Sequence, residues 1–350
     1  MDCPKVLNLL LSKDKKIFNE LLKHEPVIKD YFLDQLKELF GIRFPKYKSD
    51  SDKALSYAKN YLDKTGIWIY YPWRNTLIHI LSSKDYFELR TARNYPLISK
   101  NIQKKLHSLK IGVAGLSVGS NIVRSLVYAG IGSVYHLADG DELALSNINR
   151  ITGNLLNMGE NKTEILARQL WEIDPFLVIT MYPSGLSSEN LMGFLYKDHM
   201  LDLVFDEVDD LSLKFYLKLA AYTLSIPYFM VTDNGFTAEI DSILFTRSKD
   251  GGGLELLPNV TMSDITNSLK FSEPIKLSPT EEQELINTLI SSEDRAVEMK
   301  SAAQLKLSQK IVGWPQLHAV ANVGASLAVF SLIDFVSGTL KSGKKMLSLK

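Results

Sequence analysis

A single cysteine, Cys3, occurs in the 350 residues. One thiol cannot close an internal disulfide, and it cannot build a cysteine-only zinc site. It stands in an N-terminal tail expected to be mobile, where a thiol is ordinarily incidental to chemistry. A reducing, cytoplasmic setting is expected. Charge of one sign is lacking too, because forty Lys and Arg balance forty Asp and Glu. Without a net field, neither nucleic acid nor an anionic membrane is expected as a partner. The opening MDCPKVLNLLLSKDKK has no basic start and no small-residue cleavage site, so a secretory signal is not expected. No long uninterrupted apolar run occurs either. The most apolar stretch, residues 317–336, carries His318, Asn322 and Asp334, which predicts a buried helix rather than a membrane span.

What is present is a globular composition, 45% hydrophobic and 23% charged, long enough for one large domain and a smaller one. Residues 1–50 place Ile17, Leu21, Leu22, Tyr31, Phe32, Leu36, Leu39 and Phe40 at helical spacing. Polar residues 46–53 read as a loop. Residues 66–74 (GIWIYYPWR) are β-prone and stopped by Pro72. Residues 1–90 are therefore expected to form a small α+β module.

Beyond residue 109 the texture changes. Strands are predicted over 111–114, 134–138, 203–205 and 228–231, and helices over 120–128, 161–173 and 213–224. This alternation predicts a doubly wound, Rossmann-like, mostly parallel α/β sheet over 91–350. An insertion at about 248–310 interrupts it, with a flexible joint at Gly251, Gly252 and Gly253 and a capped helix start at residues 278–281. The basic tail, 341–350, is expected to fray.

The chemistry starts at residues 110–119 (KIGVAGLSVG). A turn built on Gly115, Ser117 and Gly119, between a buried strand and a helix, lets main-chain N–H groups approach an anion. Asp139 follows 24 residues beyond Gly115, about where a Rossmann pocket places an acid against ribose hydroxyls. A dehydrogenase would need no more. Here Asp141, Ser146, Asn147, Arg150 and Lys162 follow closely. An asparagine, an arginine and a lysine beyond the nucleotide strand suit displacement at an α-phosphate, where charge develops on a phosphate chain.

These residues resemble the ThiF/MoeB family, relatives of the ubiquitin-activating enzymes. The family pattern is a glycine loop, D-x-D…S-N-x-x-R, a lysine in G-x-x-K, and an aspartate after a later strand. Here it is met by Asp139, Asp141, Ser146, Asn147, Arg150, Lys162 and Asp209. The resemblance implies ATP and Mg²⁺ as cofactors and adenylation of a carboxylate. Asp139 would hold the ribose, Asn147 and Arg150 the triphosphate, Lys162 the α-phosphate, and Asp209 the metal, with Asp206, Glu207 and Asp210 as alternates. Arg93, or else Arg90, stands where the family has an arginine that enters the partner's pocket, so the resemblance implies a homodimer. Residues 68–74, 115–119 and 314–316 look like a bacterial ThiF subgroup sometimes fused to a nitroreductase-like domain. The substrate would be a peptide, a ubiquitin-like protein or a small-molecule carboxylate, with an external thiol or amine as acyl acceptor. The front module would grip a peptide, as a similarly placed domain does in a peptide-adenylating relative. The sequence departs from the family by lacking its catalytic cysteine and its CxxC pairs, so neither a thioester step nor structural zinc is implied.

Three other readings compete. Residues 115–119 also fit a nucleophile elbow, which would make Ser117 a hydrolase nucleophile with His318 as the late histidine. A dinucleotide-binding oxidoreductase needs only the glycine turn and Asp139. A catalytically silent ThiF-like scaffold needs only the fold. Trp68 and Trp73 are expected in core or interface, and His318 packed on a buried helix.

Overall fold

The computed structural model describes residues 3–62, 66–187, 189–245, 297–308, 310–311 and 313–350. The expected glycine joint at 251–253 and the capped start at 278–281 lie outside them. The chain divides into two compact units, one of Met1–Gln103 with Arg168–Leu177, the other of Lys104–Ala167 with Val178–Lys350.

The first unit contains a four-stranded sheet of β1 (Lys5–Leu7), β2 (Val27–Asp30), β3 (Ile67–Tyr71) and β4 (Thr76–Ile80), in the order β1-β3-β4-β2. Its helices are α1 (Ser12–Leu22), α2 (Phe32–Arg43), α3 (Ser51–Leu62) and α4 (Ser83–Thr91), with α5 (Lys100–His107) leaving it. Phe32, Leu36 and Leu39 of α2 form a core with Ala58 and Leu81. The loop expected at 46–53 is instead partly helical, with a 3₁₀ turn at Pro45–Tyr47 and α3 from Ser51. The Asp50 carboxylate accepts the Lys53 N–H at 3.0 Å, and Ala54 and Ala58 are buried one turn apart. Small residues bury little, so their stripe is faint in the sequence while the cap decides the start. Residues 168–177 belong here because side chains hold their main chain. The Tyr71 hydroxyl donates to the Trp171 carbonyl at 2.9 Å, and the Tyr86 hydroxyl to that of Ile173 at 2.7 Å.

One cation ties three helices of this unit. The Arg43 guanidinium meets Asp85 at 2.5 Å and Glu88 at 2.7 Å, and donates to the Tyr57 hydroxyl at 2.8 Å. Its side chain is 23% exposed, so solvent screens the pairs only partly. Arg43→Ala is expected to cost about 2 kcal/mol, because two carboxylates lose their cation together. Thermal denaturation would show it, and an unchanged melting temperature would refute it.

The second unit is a seven-stranded sheet in the order β11-β10-β9-β8-β5-β6-β7. The strands are β5 (Lys110–Ala114), β6 (Val134–Ala138), β7 (Val178–Tyr182), β8 (Leu203–Asp206), β9 (Tyr228–Asn234), β10 (Thr237–Ile243) and β11 (Gly343–Ser348). Strands β5 to β9 run parallel, while β10 and β11 are antiparallel to their neighbours. The helices are α6 (Val118–Tyr128), the first half of α7 (Lys162–Ile173, whose residues from Arg168 belong to the first unit), α8 (Leu191–Leu195), α9 (Leu211–Leu224), α10 (Val297–Leu307) and α11 (His318–Ser337). This is the doubly wound sheet the alternation predicts. Strand order reverses beside β5, which has β6 on one side and β8 on the other, and such a switch opens a crevice at the carboxyl ends of the strands.

Helix α11 is long and apolar enough to cross a membrane, but only 39% of its most apolar window is buried. It lies on the sheet through a stripe of mostly small residues, Val320, Ala321, Gly324, Ala325, Ala328, Ser331 and Leu332. A Cβ on Gly324 would stand 2.5 Å from Val231 Cγ1, so glycine lets the helix settle against β9. The tail does not fray. Residues 343–348 pair with β10, Lys345 meets Asp334 at 2.7 Å and Lys344 meets Glu239 at 3.5 Å. Lysines on an edge strand satisfy acidic neighbours while discouraging further pairing.

Candidate active site

The site begins where β5 ends. Gly115 has φ +88° and donates its N–H to the Ala138 carbonyl at 2.8 Å, while the Glu207 N–H donates to the Ala114 carbonyl at 2.7 Å. Three strand ends are thereby pinned at one point. Helix α6 starts at Val118, and its first-turn N–H groups have no partner inside the helix, which makes the turn an anion cradle.

The acidic tip of β6 is fastened to that turn. One Asp139 oxygen accepts the Leu116 N–H at 2.7 Å, and the other accepts the Asp141 N–H at 2.8 Å. Lys162 points into the same place, 2.7 Å from an Asp141 oxygen and 3.5 Å from Asp139. Its side chain is 6% exposed, and the two carboxylates offset the cost of burying its charge. The Asn161 amide donates to the Pro183 carbonyl at 3.0 Å and to those of Asp139 and Asp141 at 3.3 Å, which fixes where α7 begins.

Arg150 reaches the turn from the other side. Its Nε donates to Ser117 Oγ at 2.8 Å, and its Nη1 to Asn149 Oδ1 at 2.8 Å and the Ser146 carbonyl at 3.2 Å. Its own carbonyl accepts from Asn121 Nδ2 at 2.8 Å and lies 3.1 Å from His318 Nδ1. Sequence reading missed both positioning residues. Asn121 is one helical turn beyond Ser117, on a face that reads as core. His318 is exposed rather than packed on the core, because it opens α11 and turns outward to Arg150. With the Ser117 hydroxyl accepting from Arg150 and His318 on a carbonyl, no Ser–His pair forms there, and the hydrolase reading fails. Asn147 spends its amide oxygen locally, accepting the Ala144 N–H at 3.0 Å to close the 3₁₀ turn Leu145–Asn147.

The acidic run after β8 separates by role. Asp206 is buried on Lys214 at 3.0 Å and on the Tyr228 hydroxyl. Glu207 accepts the Val231 N–H at 2.8 Å, and burial pushes its carboxyl well up. Asp210 caps α9 through the Leu213 N–H at 2.8 Å. Asp209 is exposed, has no hydrogen bond or ion pair among the described residues, and its charge is felt at Arg150. Burial draws the Arg150 guanidinium below its ordinary value, while Asp209 and Asp233 pull it back up.

Asp233, near the end of β9, is a buried carboxylate the sequence did not signal. Burial pushes its carboxyl up to about 6, against the pull of Arg150. The folded chain thus holds this proton more tightly than the unfolded chain does. Stability present below pH 4 is lost as pH rises through 6, by roughly 3 kcal/mol for a displacement of this size. Urea denaturation at pH 4 and pH 7 should show this loss in the wild type relative to Asp233→Asn. Equal pH dependence in the two proteins would refute it.

Arg93 belongs to the first unit, in the 3₁₀ turn Ala92–Asn94. It lines a cleft of about 310 Å³ with Gln35, Glu38, Ile42, Tyr86, Leu89, Arg90 and Ala92, and has no ion pair among the described residues. Arg90 is bound to Asp174 at 3.0 Å.

Residues 90–348 match the ThiF family. An uncharacterised protein of Mycobacterium tuberculosis is 29% identical over 314 residues, which is 89% of this chain and 41% of that protein. A sulfur carrier protein adenylyltransferase of Thermus thermophilus is 28% identical over 134 residues, 38% of this chain and 48% of that one. The chain thus spans under half the length of either relative. Escherichia coli MccB shares the fold. Solved with MccA-N7isoASN it gives a TM-score of 0.52 at 16% identity, covering 85% of this chain and 76% of MccB. Solved with ATP it gives 0.50 at 15% identity, covering 85% and 78%.

Proposed function

The chain belongs to the ThiF family, and from that premise we propose that it binds ATP at the Gly115–Gly119 turn and adenylates a carboxylate. The observation that carries the reading is convergence. Arg150 on Ser117 and Lys162 beside Asp139 bring two cations to one helix start at the switch point of the sheet. A dehydrogenase has no use for that pair, and a silent scaffold has no reason to bury a lysine there. A relative that adenylates a sulfur carrier protein and a fold neighbour that holds ATP support the same reading.

In this reading Asp139 receives the ribose hydroxyls, and the free N–H groups of α6 receive phosphate oxygens. A substrate carboxylate oxygen attacks the α-phosphorus, the bond to the β-phosphate oxygen breaks, and pyrophosphate leaves with the electron pair. Lys162 and Arg150 stabilise the charge that builds on the phosphates as this happens. The donor set also fits Mg²⁺. Asp209 is an exposed carboxylate with no partner among the described residues, and a hard cation that keeps several waters needs one such oxygen donor beside phosphates. Bound there, Mg²⁺ would neutralise the leaving pyrophosphate.

The finer reading is that the carboxylate ends a peptide or a ubiquitin-like protein, or belongs to a small molecule. The acyl group then passes to an external thiol or amine. A cytoplasmic homodimer in which Arg93 enters the partner's site completes the proposal, with the outer face of α11, where Phe330 is exposed, available to the interface. Arg93 has no ion pair among the described residues, whereas Arg90 is held on Asp174, which supports that choice. Residues 1–90 are proposed to hold the substrate.

Calorimetric titration with ATP, with and without Mg²⁺, tests the core of the proposal. The wild type should bind, and Asp139→Ala should bind at least about tenfold more weakly, since a lost charge-assisted hydrogen bond is worth about 1.5–3 kcal/mol. No binding in either magnesium condition would leave only the scaffold reading.

A further inference from the structure

Three of the carboxylates around the ends of β8 and β9 have partners. Asp206 has Lys214 and Tyr228, Glu207 has the Val231 N–H, and Asp210 has the Leu213 N–H. Asp233 has none. Both its oxygens are sealed from solvent, and neither accepts a hydrogen bond among the described residues. A buried acceptor left unpaired costs stability, so its persistence asks for an explanation.

Its place in the fold suggests one. Strand alternation puts Phe229, Val231 and Asp233 on the face covered by α11, where the Phe229 ring meets Phe335 and Val231 lies against Gly324. Asp233 is the next position along that face, at the carboxyl end of β9, where open sheets take their ligands. Its neighbour Asn234 turns the other way and donates to Glu239 at 2.7 Å. Asp233 and Arg150 feel each other's charge. A guanidinium at the glycine turn and a buried, unpaired acceptor at the end of β9 therefore lie within electrostatic reach of each other.

We infer that Asp233 is a ligand-binding residue that accepts a hydrogen bond from an N–H group carried by the substrate next to the carboxylate that attacks the phosphate held by Arg150. The inference rests on the adenylation reading for what lies against Arg150, and it narrows the substrate. A carboxylate whose α-carbon bears an amide N–H, as in the last residue of a peptide, satisfies both groups. A fatty acid or a hydroxy acid leaves Asp233 unpaired.

The test uses the full chain, ATP–pyrophosphate exchange and two synthetic series. One is pentapeptides with a free terminal carboxylate and a varied last residue. The other is matched depsipeptides in which the last amide N–H is an ester oxygen. The wild type should favour peptides by about tenfold or more, because a site built to pair an N–H rejects the analogue lacking it. Asp233→Ala should accept both within about twofold, chiefly by losing rate on peptides. A second readout needs no substrate. Asp233→Asn should raise the melting temperature at pH 7.5 by a few degrees, because it removes an unpaired buried charge. A lower melting temperature would mean that the fold needs the carboxylate, which overturns the inference. So would equal use of the two series by the wild type, or a raised magnesium requirement in Asp233→Ala, which would assign the residue to the metal. Exchange with neither series also overturns it. If ATP binding is absent as well, the adenylation reading falls with it, and otherwise that reading stands.

Discussion

Lys162→Ala is expected to lower ATP–pyrophosphate exchange about a thousandfold, the usual cost of removing one fixed donor from a charge that builds in the transition state. The ammonium is buried, 3.5 Å from Asp139 and 2.7 Å from Asp141, so it is already oriented and partly stripped of water before nucleotide arrives. Alanine removes the charge and leaves Asp139 without its cation. The loss of stability should still be limited to about 1–3 kcal/mol, because two main-chain N–H groups continue to hold the Asp139 carboxylate. The two effects separate cleanly. Calorimetric ATP affinity and a melting curve report the folded site, and exchange reports the reaction. A folded variant that binds ATP but does not exchange fits a role in the transition state. Exchange within about threefold of wild type would remove Lys162 from the chemistry.

Much of this architecture could be read from residues alone, for a physical reason. A parallel sheet buries both faces of its strands, so β5, β6, β8 and β9 stand out as short apolar runs between helical periods. The cationic pair was legible because Arg150 and Lys162 occur at a spacing that packing alone does not require. What escaped reading had competing local signals. Helix α3 buries alanines, which leave no apolar stripe. Strand β11 carries Lys344 and Lys345 within a basic final stretch, which imitates a solvated tail, and its order comes from β10, about a hundred residues earlier. Asp233 stands in a Thr-Asp-Asn-Gly run that reads as a turn. Only the observed extension of β9 to Asn234 places its side chain under α11. Asn121 and His318 act on a main-chain carbonyl, a contact that leaves no residue pattern at all.

The glycine turn permits the most demanding test of the site's construction. Gly115→Ala should cost about 2–5 kcal/mol, the sum of a left-handed backbone penalty near 1–2 kcal/mol and about 1–3 kcal/mol for overpacking a filled position. Its Cβ would stand 2.2 Å from the Glu207 carbonyl oxygen, 2.5 Å from the Glu207 carbonyl carbon and 2.9 Å from Val208 N. All three are main-chain atoms on the strand end that Ala114 holds, so no side chain can rotate away. Relief requires parting β5 from β8, which loosens the bond from Glu207 N–H to the Ala114 carbonyl and the one from Gly115 N–H to Ala138. Two other glycines separate the causes. Gly159 also has positive φ (+78°) but has nothing within 4 Å of a built Cβ, so Gly159→Ala should show the backbone penalty alone. Gly119 has room limited by Val113 Cγ1 at 2.9 Å, a side-chain methyl that can shift, so Gly119→Ala should cost less than Gly115→Ala. Urea denaturation of the three variants should rank Gly115 well above the others, and ATP affinity should fall most for the same variant because Leu116 leaves Asp139. A Gly115→Ala protein no less stable than Gly159→Ala would show that β8 yields, and that the turn is not the rigid cradle that the proposed phosphate binding requires.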